Sequence, residues 1–177
     1  MLLKCKHQMD FPKNGKAPLL EGPASSITVS KGFRGLDLVK IRELVESSFG
    51  KVLVPGYFDA PAESVVLEDS YRGLAVIKLI GLTPYLDKFA VEPSSQGTGL
   101  GKKIWNEING ICSSLIWRAV SDNPINGWYK QNSDGSQEIG KWVVFWYNLD
   151  AAPELITAVS KRPETLVRQE YQGYAVH

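Results

Sequence analysis

The apolar run Leu86-Asp-Lys-Phe-Ala-Val91 leads within a few residues into Gln96-Gly-Thr-Gly-Leu-Gly101, and apolar residues then recur at helical spacing. A strand that turns through glycine into a helix limits the accessible folds more than any other feature of the chain. Such a turn aims backbone N–H groups at one point, where the helix dipole favours an anion. Gln96, Gly97, Thr98, Gly99, Leu100 and Gly101 therefore form a candidate phosphate cradle. The plainer alternative is a glycine-rich turn with no ligand. Counting excludes two common phosphate motifs. A P-loop needs Gly-x-x-x-x-Gly-Lys-Ser/Thr, but Gln96 stands at the first glycine and Lys103 follows Lys102. A dinucleotide fingerprint needs Gly-x-Gly-x-x-Gly, but its last position falls on Lys102 or Ile104. The pattern that fits is Gln-x-x-Gly-x-Gly, at Gln96, Gly99 and Gly101.

The rest of the chain frames that turn. Ile27 to Val29 reads as a short strand. Leu38, Ile41, Val45 and Phe49 read as one face of a helix that Gly50 ends. Val65–Leu67 and Leu74–Ile80 read as a hairpin, and Tyr85–Val91 as a third strand. Leu100–Ile111 is the helix after the glycine turn, and Leu115–Val120 a further strand. Asn123-Pro124 opens a short helix to Lys130, Asp134-Gly135 is a turn, Trp142–Leu149 a strand and Pro153–Lys161 a helix. This order predicts an α/β fold around one mixed sheet. The expected organisation is an N-terminal arm over 1–25, a catalytic-size domain over 26–150, and a C-terminal helix and tail over 151–177.

With 177 residues the chain is long enough for one domain with a full core, and its net charge of +1 supplies no basic field for nucleic acid or an anionic membrane. The two cysteines, Cys5 and Cys112, lack metal-ligand spacing. A reduced compartment is the simpler reading, with one disulfide between them as the alternative. His7 and His177 lie near opposite termini and suit no His-based triad. No metal is expected.

The Gln-x-x-Gly-x-Gly loop resembles the pyrophosphate loop of the GNAT acetyltransferases. A closer likeness lies in an ordered series: Tyr85-Leu-Asp-Lys-Phe89, the glycine loop, Trp117-Arg118, Asn123-Pro-Ile-Asn126, Trp128-Tyr129, Ser133-Asp-Gly-Ser136 and Phe145-Trp146. From about Leu36 to about Leu149 this resembles the acetyltransferase domain of vertebrate-type N-acetylglutamate synthases, including the bifunctional bacterial synthase-kinases. The resemblance implies a GNAT fold whose strands near 85–91 and 115–120 splay apart. It implies acetyl-CoA as co-substrate and L-glutamate, or a similar small amino acid, as acceptor, in arginine biosynthesis or the urea cycle. Carried over by position, Lys51, Lys88, Arg118 and Asn123 match acceptor-site residues, and Tyr129 matches the tyrosine that protonates the leaving thiolate. Asn123 and Tyr129 are thus the catalytic candidates. Phe89, Ala90 and Val91 would offer backbone groups to the pantetheine arm, and residues 96–101 would hold the pyrophosphate.

Those residue types suit the chemistry. Two carboxylates on an acceptor call for cations, arginine as a bidentate fork and lysine as a point charge. Plainer readings stand beside them: Lys51 as a solvated helix end, Tyr129 as a core aromatic, and Trp117, Trp128, Trp142 and Trp146 as core and pocket wall. One departure is visible. Synthase-type relatives carry a second arginine two residues after the position of Arg118, where this chain has Val120. The resemblance also implies an amino-acid kinase domain or subunit as partner and a homo-oligomer. It places the protein in the cytoplasm if bacterial and in the mitochondrial matrix if eukaryotic, not outside the cell. The competing functions are a regulatory arginine- or CoA-binding domain with little activity, and acetylation of another amine.

Overall fold

The computed structural model describes residues 25–169; the expected N-terminal arm, Cys5, His7 and His177 lie outside them. The elements are β1 (Ile27–Ser30), α1 (Leu38–Phe49), β2 (Val52–Leu53), β3 (Ser64–Glu68), β4 (Gly73–Ile80), β5 (Thr83–Val91), α2 (Leu100–Ile111), β6 (Leu115–Val120), α3 (Asn126–Gln131), β7 (Gly135–Ile139), β8 (Trp142–Tyr147), α4 (Pro153–Ser160) and β9 (Leu166–Val167). Seven strands form one sheet in the order β1-β3-β4-β5-β6-β8-β7, and β2 pairs with β9 separately. Every neighbouring pair in the large sheet is antiparallel except β5 and β6.

Alternation along the strands builds two cores. Val66, Ala75, Ile77, Leu86, Leu115, Trp117, Val143 and Phe145 face α2. Val65, Leu67, Leu74 and Val76 face α1 on the opposite side, and Tyr85, Ile116 and Val144 face α4 on that same side. Helix α1 begins where the Asp37 carboxylate accepts the N–H groups of Val39 and Lys40, each at 3.1 Å. On α2, Ile104 and Ile108 are fully buried, and each contributes about 2 kcal/mol by leaving water.

Two features of β5 position everything that follows. It pairs with β6 only at Tyr85–Ile116 and Leu86–Trp117, and beyond that the strands part. Its register with β4 also slips: Ile77 faces Leu86 and Val76 faces Lys88, so Asp87 is an extra residue, a β-bulge. A regular strand would send Asp87 and Lys88 to opposite faces. The bulge turns both toward the α1/α4 face and returns Phe89 and Val91 to the α2 side.

Three local expectations are corrected. The Asp134-Gly135 turn is followed by a full edge strand, β7, whose polar Gly-Ser-Gln-Glu-Ile sequence carries no apolar alternation because both faces are largely exposed. Helix α3 starts at Asn126 rather than Asn123, because Asn123 forms a turn that receives the Asn126 N–H on its carbonyl. The two-residue strands β2 and β9 have no local signature; they form because Val52–Leu53 and Leu166–Val167 meet in space.

Candidate active site

Where β5 and β6 part, a cavity of about 140 Å³ opens. Lys51, Lys88, Arg118, Asn123 and Tyr129, five positions spread over 79 residues of sequence (129 − 51 + 1), all line it. Its walls come from both faces of the sheet. Tyr85, Asp87, Lys88, Arg118 and Val120 belong to the α1/α4 side, whereas Leu86, Phe89, Trp117 and Tyr129 belong to the α2 side. The cavity therefore runs through the sheet at the splay, charged on one side and aromatic on the other.

The charged side is an interlocked network. The Lys88 ammonium donates to the Asp87 carboxylate at 3.0 Å, the Asp87 carbonyl at 3.1 Å and the Thr165 hydroxyl at 2.7 Å. An ammonium has three N–H donors, so all of them are engaged. The Tyr57 hydroxyl donates to the same Asp87 carboxylate at 2.6 Å, and Lys78 Nζ lies 4.4 Å from the Tyr57 ring centre. Burial lowers the Lys88 pKa against the opposing pull of Asp87. Burial also works to raise the Asp87 carboxyl, but Lys88, Tyr57 and Lys78 outweigh it and hold Asp87 below the usual carboxylate range.

Arg118 has a different surrounding from the free carboxylate clamp that the sequence suggests. Its guanidinium donates to the Val159, Ser160 and Pro163 carbonyls at 3.0, 2.9 and 3.3 Å and lies over the Trp142 ring at 3.9 Å. It thus satisfies the open carbonyls at the end of α4 while forming part of the cavity wall. Lys51 is half-buried past the end of α1, where its backbone N–H donates to the Glu46 carbonyl at 3.4 Å, and its side chain has no hydrogen-bond partner among the described residues. Asn123 accepts the Ile125 N–H on Oδ1 at 3.2 Å. Tyr129 is buried, and desolvation raises its pKa above that of an ordinary tyrosine. Its hydroxyl makes no hydrogen bond among the described residues, and its ring packs against Trp117, Phe145 and Trp105.

The strand edge beyond Leu86, left without a partner by β6, runs from the cavity toward the glycine turn. The Phe89 ring stacks parallel on Trp128 at 5.9 Å. Ala90 is buried against the α1 core. The Val91 carbonyl already accepts from the Ser48 hydroxyl at 3.1 Å and the Gln96 amide at 3.2 Å, so Gln96 braces the turn. Gly97 and Gly99 take φ of +79° and +89°, a backbone that side chains disfavour. A Cβ on either would project into open space. Helix α2 has no side-chain cap at Gly99. The N–H groups of Gly97, Gly99, Leu100, Gly101 and Lys102 find no loop acceptor among the described residues, where the first turn-to-helix bond runs from Lys103 to the Gly99 carbonyl. This open row of donors at a helix N-terminus fits a pyrophosphate.

Sequence reasoning missed Asp87 as a site group, and with it Tyr57, Glu164 and Thr165, whereas Trp142 stands in the cavity wall as expected. Asp87 stood in the quoted Tyr-Leu-Asp-Lys motif, so a signal existed. Glu164 and Thr165 had none, since they reach the cavity from beyond α4.

Comparison with known proteins follows the same lines. The family model of the N-acetyltransferase of N-acetylglutamate synthase matches residues 27–162. An acetylglutamate kinase of Xanthomonas campestris is 39% identical over 121 residues, covering 65% of this chain and 28% of that protein. The mitochondrial N-acetylglutamate synthase of Homo sapiens is 34% identical over 145 residues, covering 78% of this chain and 27% of that protein. The chain thus spans little more than a quarter of the length of these relatives. Among solved structures, N-acetylglutamate synthase from Neisseria gonorrhoeae, complexed with coenzyme A and N-acetyl-glutamate, superimposes with a TM-score of 0.53 at 17% identity, covering 73% of this chain and 36% of that one. The PaiA N-acetyltransferase of Thermoplasma acidophilum, in complex with coenzyme A, gives 0.53 at 15% identity, covering 70% and 99%. The fold is that of the GNAT acetyltransferases.

Proposed function

Since this chain belongs to the family of the N-acetyltransferase of N-acetylglutamate synthase, we propose that it transfers the acetyl group of acetyl-CoA to the α-amine of L-glutamate. The observation that carries this reading is the cavity through the splayed sheet, with cations in its wall on one face and Tyr129 in its wall on the other. The open donors at Gly97–Lys102 suit the pyrophosphate, and the unpaired edge of β5 suits the amide-rich pantetheine arm. The thioester then lies in the gap between β5 and β6.

Glutamate enters from the α1/α4 side, where Lys51, Lys88 and Arg118 offset its carboxylates. Those cations also favour the neutral form of its amine, which must lose a proton before it attacks. The amine nitrogen bonds to the acetyl carbon, and the carbon–sulfur bond breaks. The thiolate that leaves takes a proton from Tyr129, which burial keeps protonated at neutral pH, and the proton that the attacking nitrogen sheds as the amide forms passes through solvent to restore the Tyr129 hydroxyl. Holding amine and thioester in one narrow channel supplies much of the rate. The Xanthomonas relative supports an amino-acid kinase domain, in the same chain or another, as partner.

The test follows glutamate-dependent release of free thiol from acetyl-CoA. The wild type turns over, and Tyr129→Phe loses about a hundredfold or more in kcat with little change in KM for acetyl-CoA. A protein that binds acetyl-CoA but shows no glutamate-dependent release refutes the reading.

A further inference from the structure

Among the described residues, Glu164 is the one carboxylate besides Asp87 that lines the cavity. Its Oε2 accepts a hydrogen bond from Lys141 Nζ at 2.7 Å. The Lys141 bond holds its carboxyl below the usual range, and Lys51 and Arg118 lie close enough to add to that pull. Glu164 stands on the segment from Pro163 to Leu166, which closes this side of the cavity. The segment is tied down on both flanks of Glu164. Arg118 donates to the Pro163 carbonyl, Lys88 to the Thr165 hydroxyl, Val54 N–H to the Thr165 carbonyl at 2.9 Å, and Leu166 pairs with Leu53. The family match ends at residue 162, two positions before Glu164.

We propose that Glu164 is an internal competitor of the side-chain carboxylate of the acceptor, held by Lys141 in the free protein and displaced toward solvent when a dicarboxylic amino acid binds. The inference rests on the acetyl-transfer reading above. Three observations carry it. First, the deeper cations have few donors left: Lys88 has all three N–H groups engaged, and Arg118 gives three hydrogen bonds to backbone carbonyls. Lys51 in the cavity wall and Lys141, which bonds the wall residue Glu164 from outside, are the cations with donors to offer. Second, position 120 is valine, and Val120 pairs with Trp142, the residue next to Lys141. Lys141 therefore stands beside the place where a second site cation is missing. Third, the Glu164 side chain is 42% exposed, so it can swing away without leaving a buried gap.

The test uses Glu164→Gln and Lys141→Gln in the full chain. The probes are glutarate, a dicarboxylate without an amine, measured by calorimetry, and turnover of L-glutamate against L-glutamine. Glu164→Gln is expected to tighten glutarate and lower the KM for glutamate about two- to fivefold, the range of a partly exposed ion pair, with a smaller shift for glutamine. Lys141→Gln moves both quantities the other way. A mere loosening of the segment would weaken binding in both variants, so opposite directions exclude it. Equal or weaker glutarate binding by Glu164→Gln, or no binding by either protein, overturns the proposal. If glutarate behaves as expected but no dicarboxylic amino acid is acetylated, the competitor stands and the glutamate reading falls.

Discussion

Asp87→Asn isolates the charge at the centre of the site. The variant keeps an oxygen for the Tyr57 hydroxyl but leaves Lys88 without its counter-ion. In the native protein the two side chains are 8% and 6% exposed and lie 3.0 Å apart. Removing one partner of a buried pair costs about 3–5 kcal/mol. Lys88 has an escape, because it can deprotonate. At pH 7 that costs an ordinary lysine of pKa near 10.4 about 4.6 kcal/mol, at about 1.36 kcal/mol per pH unit. It costs less here, since burial already lowers the Lys88 pKa. The expected loss is therefore about 3 kcal/mol at pH 7. Asp87 is what holds the Lys88 pKa up against burial, so the variant's Lys88 pKa falls further; between that lower value and the native one the variant's folded state has lost a proton that the wild type keeps. Stability of the variant then rises with pH relative to wild type. Urea unfolding at pH 7 and 9.5 reads this directly, with the gap closing to under about 1 kcal/mol at the higher pH. Adding Lys88→Met recovers more than half of the loss at pH 7. A gap of equal size at both pH values, or no rescue by Lys88→Met, refutes the buried-pair account.

Two further perturbations probe the frame of the site. Gly99→Ala forces a side chain into a φ of +89° and points a Cβ into the open space above the N–H row; it costs about 1 kcal/mol of stability, and the KM for acetyl-CoA rises while that for the acceptor stays near wild type. Arg118→Lys keeps the charge but cannot reach three carbonyls and lie flat on Trp142. It lowers stability by about 2 kcal/mol, a fall in Tm of roughly 4–8 °C, and thermal unfolding with no such fall would show that the bonds to the end of α4 carry little.

Lys51, Lys88, Arg118, Asn123 and Tyr129 were legible because each sits within a short motif whose order along the chain identifies it. Their partners were not. Asp87 reads as one polar residue in an alternating strand, and alternation assigns it a single face. Only pairing with β4 reveals the extra residue that turns it beside Lys88. Thr165 and Glu164 follow a helix and a proline and have no pattern of their own; they reach the site because Leu166 meets Leu53 across 113 positions (166 − 53). Strand β7 was missed for a related reason, since an edge with two wet faces shows no apolar period. Arg118 lies in an apolar strand, where a charge is costly unless paired, but a local pattern cannot specify that the partner is the end of α4.

The bulge at Asp87 has a consequence of the kind a dislocation has in a lattice. Along β5 the two ends are out of phase, so the inward side chains before Asp87 and after Lys88 obey opposite parities. No substitution can move that seam, because it is a matter of counting rather than of chemistry. Deleting Asp87 would bring Lys88 directly after Leu86 in regular alternation, so Lys88 and Ala90 would stay on the side of α1 and Phe89 and Val91 on that of α2. What the strand would lose is two neighbours on one face, a carboxylate seated beside the ammonium it balances. One residue of length, rather than any change of side chain, puts the counter-ion of Lys88 on its own face.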